Sequence, residues 1–135
     1  MRVLLDTNVL ISALISMDGK PSELLYLLLA KNQVLILSGA IVEEFARVAA
    51  DKRIRRYVKS EDVAAFLKIL FAKGVFVRVK SKFKVLGNAD DDILGTAYDG
   101  HADLIVSGDK HLLQLGEFKS IKITTVSEAL KEISR

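Results

Sequence analysis

Two aspartates in this chain stand just beyond short, wholly apolar runs. Asp6 follows Val3-Leu4-Leu5, and Asp109 follows Leu104-Ile105-Val106 by way of Ser107 and Gly108. Runs of that length and composition read as strands buried on both faces. In an open parallel α/β sheet, ligands bind in the crevice outside the carboxyl ends of the strands. A carboxylate there is costly to desolvate unless something compensates its charge. Between the two lie the triplet Asp90-Asp91-Asp92 and, on a predicted helix, Glu44. Acids that converge with no lysine or arginine among them repel one another, and a divalent cation relieves that repulsion.

Each acid also has a local structural explanation. Asp6 at a strand-to-helix turn can cap the helix, although Thr7 or Asn8 can fill that position and release it. On the helix expected over Ser38 to Ala50, Ile41, Phe45, Val48 and Ala49 define the buried stripe. Glu44 falls at the margin of the stripe, whereas Glu43 points outward with Arg47 as an i,i+4 partner. Glu44 is therefore the better site acid. In the triplet, one or two aspartates cap a helix and complement its dipole. Asp90 reads as the cap, Asp91 as the metal-site candidate and Asp92 as an auxiliary acid. Asp109 can serve as a helix cap as well, and Ser107 can bond a neighbouring carboxylate or a substrate phosphate.

Oxygen ligands with no cysteine and only two histidines in the chain favour Mg²⁺ or Mn²⁺ over Zn²⁺. A hard cation held by carboxylates polarises a phosphoryl oxygen and lowers the pKa of a bound water, which is the chemistry of phosphodiester hydrolysis. His101 and His111 lack paired ligand spacing. His101 reads as a surface residue after Gly100, and His111 as an exposed position on a short helix.

The elements that must place these acids alternate. Strands are expected at Arg2–Leu5, Val34–Leu37, Val75–Val79, Leu104–Val106 and Ile121–Thr124. Helices are expected at Asn8–Ile15, from Pro21, from Ser38 as N-cap, over Lys52–Tyr57, from Ser60 as cap, from Asp90 or Asp91 to Gly100, over Lys110–Leu115 and over Ser127–Ile133. Strands alternating with helices imply a three-layer α/β/α domain around a mostly parallel five-stranded sheet. The 135 residues, half of them hydrophobic, suit a single domain over 1–135. With one proline and no polar tract, no linker is visible, and the absence of cysteine fits a reducing compartment. The first apolar run is too short for a signal peptide or a membrane span. A soluble, cytoplasmic protein with no membrane partner is expected.

Net charge is +3, but it is unevenly spread. Residues 47–84 carry twelve Lys/Arg against three Asp/Glu, and residues 85–109 carry six Asp with no Lys/Arg. A basic region beside an acidic pocket suits a polyanion held by one part and cut at the other, although lysines and arginines also simply solvate helix faces. Arg53, Arg55, Arg56 and Lys59 belong to the densest basic run and are the expected contacts to that polyanion, with Tyr57 available to stack or to pack. Arg78, Lys80, Lys82 and Lys84 make a second run.

The chain resembles the PIN domain, in particular the small prokaryotic toxin ribonucleases of the VapBC type. The resemblance rests on Leu4-Leu5-Asp6-Thr7-Asn8-Val9-Leu10, on Asp91-Asp92-Ile93-Leu94, and on Ala102-Asp103-Leu104-Ile105-Val106-Ser107-Gly108-Asp109 with Leu112-Leu113. The segment Ser38 to Val48 supplies the second acidic position. The resemblance implies that Asp6, Glu44, Asp91 and Asp109 are catalytic and hold the metal, and that Thr7, Asn8 and Ser107 support them. Ser107 stands where the family usually has threonine, and Asn88 where relatives often have another acid. It implies metal-dependent endonucleolytic cleavage of RNA by a metal-activated water, as the toxin of a toxin–antitoxin pair. It further implies a homodimer and a small antitoxin partner. Two other readings stay open. One is a non-catalytic RNA- or protein-binding module. The other is an aspartate-dependent phosphatase, against which Asn8 stands where the haloacid-dehalogenase pattern needs a second aspartate.

Overall fold

The computed structural model describes residues 1–30 and 32–134. In chain order the elements are β1 (Arg2–Leu5), α1 (Thr7–Ile15), α2 (Lys20–Leu29), β2 (Val34–Leu37), α3 (Gly39–Ala49), α4 (Lys52–Arg55) and α5 (Ser60–Lys73). They continue as β3 (Val75–Phe76), α6 (Asp90–Asp99), β4 (Leu104–Val106), α7 (Lys110–Leu115), β5 (Glu117–Phe118), β6 (Ile121–Thr124) and α8 (Val126–Ile133). The strands form one sheet in the order β3-β2-β1-β4-β6-β5. All neighbouring strands are parallel except the β5–β6 pair. The chain is thus an α/β domain with a mostly parallel sheet, as its alternation of apolar runs and amphipathic segments predicts.

The core is built from the three central strands. Val3-Leu4-Leu5, Leu35-Ile36-Leu37 and Leu104-Ile105-Val106 are all buried. Successive side chains of a strand point to opposite faces, so unbroken burial means that both faces of the sheet are covered. Leu10 and Leu14 of α1, Leu24 and Leu28 of α2, Phe45 of α3 and Ile93, Leu94 and Ala97 of α6 complete the packing. Among the described residues no helix is long and apolar enough to cross a membrane.

Three local expectations change. The third strand stops at Phe76 rather than Val79, because its partner β2 ends at Leu37. The Val77 amide still bonds the Leu37 carbonyl at 2.8 Å, and the chain then leaves the ladder and packs against α6. A sixth strand, β5, is added by a two-residue turn at Lys119-Ser120. Both turn residues are left-handed (φ 46° and 69°), in a turn that usually recruits glycine or asparagine, so the sequence carries no sign of it. The residue flanking α5 is Lys59, not Ser60. The Asp62 carboxylate accepts from the Lys59 amide at 3.0 Å, while the Ser60 hydroxyl is held by the Arg55 guanidinium.

Candidate active site

β1 lies between β2 and β4, so the chain leaves β1 toward one side of the sheet and returns later on the other. That reversal opens a crevice at the carboxyl ends of β1 and β4, the two strands that carry Asp6 and Asp109. The Asp6 amide bonds the Val106 carbonyl at 2.9 Å, which ties the two strand ends together.

Asp6 is 5% exposed. It occupies the N-cap position of α1, but its side chain makes no capping bond. Its carbonyl accepts from Val9 and Leu10 in the ordinary helical way. The carboxylate instead faces β4, where the Ser107 hydroxyl donates to Oδ2 at 2.7 Å. Burial pushes the Asp6 carboxyl above its ordinary range. The Ser107 bond and the amides of Thr7 and Asn8 work against that rise, and the charge of Asp109 adds to it. Ser107 is fully buried and also accepts from the Asp109 amide at 2.9 Å, so one hydroxyl joins the two acids. Asp109 caps α7 through Oδ1, which accepts from the amides of His111 at 2.8 Å and Leu112 at 3.1 Å. Its Oδ2 makes no hydrogen bond among the described residues.

Glu44 is half-buried and Glu43 exposed, as the phase of α3 predicts. Ser38 does cap α3, accepting from the Ile41 amide at 3.3 Å.

In the triplet the three acids have different surroundings. Asp91, expected at the metal, turns away from the crevice. Its carboxylate accepts from the amides of Val85 at 3.2 Å, Leu86 at 2.9 Å and Gly87 at 3.0 Å. Those backbone bonds, Leu86 first, hold its pKa below the usual carboxylate range. Asp90, expected as the helix cap, is half-buried, and its carboxylate makes no hydrogen bond among the described residues. Burial raises its pKa, and the charges of Asp109, Asp6 and Glu44 raise it further, while His111 opposes them. The capping work that would occupy Asp90 is done by Asn88, whose Oδ1 accepts from the Asp90 amide at 2.8 Å. Asp92, expected as an auxiliary acid, is exposed, and only its carbonyl is engaged, by the Thr96 hydroxyl at 2.8 Å. A signal for Asp90 is present in the sequence. It stands three, four and seven residues before the buried Ile93, Leu94 and Ala97, on the apolar face of α6. His111, read as exposed, is exposed, but it also faces Asp90.

Thr7 is buried with its hydroxyl unpartnered, beside Asp6, and Asn8 is exposed. Among the described residues the ion pairs are Asp51–Arg53 and Lys122–Glu132, so no lysine or arginine neutralises Asp6, Glu44, Asp90 or Asp109. No three acids or histidines among the described residues lie at a spacing that would share one cation as they stand. The basic residues expected to bind RNA lie on and just after α4, beyond the C-terminal end of α3. Arg53 is bonded to Asp51 at 3.2 Å and Arg55 to Ser60, while Arg56 and Lys59 are exposed.

A family model described as the PIN domain matches residues 2–111. The chain is 34% identical over 130 residues to the uncharacterized protein MJ1680 of Methanocaldococcus jannaschii, covering 93% of this chain and 82% of that one. A crystal structure of VapBC2 from Rickettsia felis, bound to a DNA fragment from its promoter, matches with a TM-score of 0.64. That match covers 93% of this chain and 98% of the other at 18% identity, a likeness of fold.

Proposed function

Because this chain belongs to the PIN domain family, we propose that its crevice is the active site of a Mg²⁺- or Mn²⁺-dependent endoribonuclease. The observation that carries this reading is the pairing of Asp6 and Asp109 through Ser107 at the strand ends, with no basic side chain in an ion pair with either, or with Asp90 or Glu44, among the described residues. The donor set fits a hard divalent cation: carboxylate oxygens, no thiolate, and an unpartnered buried hydroxyl on Thr7 next to Asp6. Asp6, Asp90, Asp109 and Glu44 would hold the ion. Glu44 and Asp90 are both half-buried. A cation bound there supplies charge to stabilise a phosphoryl oxygen and a water acidic enough to attack at neutral pH.

The chain's own residues do the rest. Ser107 fixes Asp6 and Asp109 in one frame, so neither carboxylate must be reoriented when substrate arrives. Gly108, exposed and with open space where a side chain would begin, leaves the backbone between them accessible to a phosphate. The capped start of α7 keeps Asp109 at the lip with one oxygen still free.

Within this reading the substrate is RNA, and the protein is the toxin of a toxin–antitoxin pair acting in the cytoplasm as a homodimer. The fold neighbour, named as a VapBC complex, supports an antitoxin partner. The test is cleavage of labelled structured and unstructured RNA with Mg²⁺, Mn²⁺ or chelator, for the wild type and for Asp6→Asn and Asp90→Asn. Cleavage should require the metal and both acids while RNA binding persists. Cleavage that survives chelator, or that survives both substitutions, ends the proposal.

A further inference from the structure

Between β3 and α6 the chain runs extended, and exposure alternates along it. Ser81 and Phe83 turn inward, whereas Lys80, Lys82 and Lys84 turn outward. Three lysines thus share the outer side of the segment, whose Cα positions span at most about 13 Å from the first to the last.

The row is pinned to α6 at both ends. Near its start, the Asp99 carboxylate accepts from the amides of Lys80 at 2.6 Å and Ser81 at 2.7 Å, and from the Ser81 hydroxyl at 2.6 Å. Past its end, Asp91 takes the amides of residues 85–87. Between them the segment sits directly on α6. A side chain at Gly95 would begin 2.8 Å from the Ser81 carbonyl oxygen, so only glycine permits the approach. The helix that grips the row is the one that presents Asp90 to the crevice, with Asp90 next to Asp91 in sequence. The lysine row and Asp90 are therefore carried by the same helix.

Aromatic surface flanks the row. Phe83 packs edge-on against Tyr98 (centroids 5.2 Å apart, 78°) and against Phe118 (4.9 Å, 77°). Tyr98 is 44% exposed, and the Lys119 ammonium stands 5.6 Å from the Phe83 centroid. Among the described residues no carboxylate forms an ion pair with any of these four lysines. Asp99, the nearest acid, is occupied by the backbone it grips.

We infer that Lys80, Lys82, Lys84 and Lys119 form the track for the phosphates of a single-stranded RNA, with Tyr98 as a stacking surface for one base. A cationic groove with an exposed ring is how single strands are held without sequence preference. The basic run on α4 is then not the substrate contact. There Arg53 is paired with Asp51 and Arg55 bonds Ser60, whereas no carboxylate among the described residues pairs with the lysine row. The inference rests on the nuclease reading for its meaning but not for its measurement.

The experiment is fluorescence anisotropy of a labelled single-stranded oligouridylate on the full chain, in chelator, across a salt series. Lys80→Ala/Lys82→Ala/Lys84→Ala should weaken binding at least tenfold at low salt and flatten the log–log salt slope by about 2, the value of three lost phosphate contacts on a single strand. Tyr98→Ala should weaken it about tenfold, and Tyr98→Phe, which keeps the ring, should not. Arg53→Ala/Arg56→Ala should bind like the wild type. The inference is overturned if the triple lysine variant binds normally, or if the α4 variant loses more. Competition by polyglutamate equal to that by polyuridylate would also overturn it, since the surface would then suit an acidic protein. Row-dependent binding without cleavage in Mg²⁺ would end the nuclease reading alone. Cleavage with row-independent binding would end this inference alone.

Discussion

Replacing Ser107 by alanine is the sharpest test of the bridge between the two strands. The hydroxyl is fully buried and makes two bonds, donating to Asp6 Oδ2 at 2.7 Å and accepting from the Asp109 amide at 2.9 Å. Ser107→Ala leaves a buried carboxylate oxygen and a partly buried amide without partners. A bond to a charged group is worth about 1.5–3 kcal/mol, and an orphaned amide costs about 1–3 kcal/mol. Proton uptake by Asp6, already favoured by burial, relieves part of the first cost. A net loss of about 3 kcal/mol follows, read as a fall of about 1.5 M in the urea midpoint for a slope near 2 kcal/mol/M. Circular dichroism at neutral pH in chelator measures it. A cycle with Asp6→Asn should show a coupling above about 1 kcal/mol, because the two side chains touch. If Ser107→Ala stays within about 0.5 kcal/mol of the wild type, or if the two changes simply add, the bridge is not the organising contact described above.

The remaining predictions concern charge, the triplet and the hairpin. Asp6 and Asp90 both carry raised pKa values. For such acids the folded state holds the proton more tightly than the unfolded one. Their stabilising contribution is complete below the ordinary aspartate value of 3.8 and is lost as pH rises through the folded values. In chelator, the melting temperature of the wild type relative to Asp6→Asn should therefore fall as pH climbs above 4, and Mg²⁺ should restore it at neutral pH but not at pH 4. A pH-independent difference refutes this. Asp90→Asn should weaken Mn²⁺ binding measured by calorimetry, whereas Asp91→Asn should leave it near wild type and speed amide exchange at Leu86. The reverse pattern would return the metal role to Asp91. Ser120→Gly should stabilise the protein by about 1 kcal/mol, since a left-handed non-glycine residue is strained by roughly that amount. A lower melting temperature would contradict the turn geometry.

Much of the site could be read from residue order because its logic is one-dimensional. Asp6 and Asp109 each end an apolar run, and an apolar run that ends in an acid marks a strand end. That Glu44 is half-buried and Glu43 exposed followed from helical phase, measured against Ile41, Phe45 and Val48. The different surroundings of Asp90 and Asp91 show where that reading stops. Neighbours on a helix differ by about 100° in direction. Which of two adjacent acids faces a crevice depends on what else is available to cap the helix, and Asn88 took that task. The short strand β5 was equally hidden, because its turn is made by lysine and serine in a conformation their side chains disfavour.

Pattern alone determined the class of fold, the buried strands and the gathering of unneutralised acids at one edge of the sheet, because burial and periodicity are local properties of residue type. Tertiary structure decided which acids face one another. It also decided that Ser107 joins Asp6 to Asp109 across 101 positions of chain, and that a row of lysines is clamped beside Asp90. Those outcomes depend on the order in which strands are laid side by side and on competition among hydrogen-bond partners. Neither is written in the spacing of any single segment.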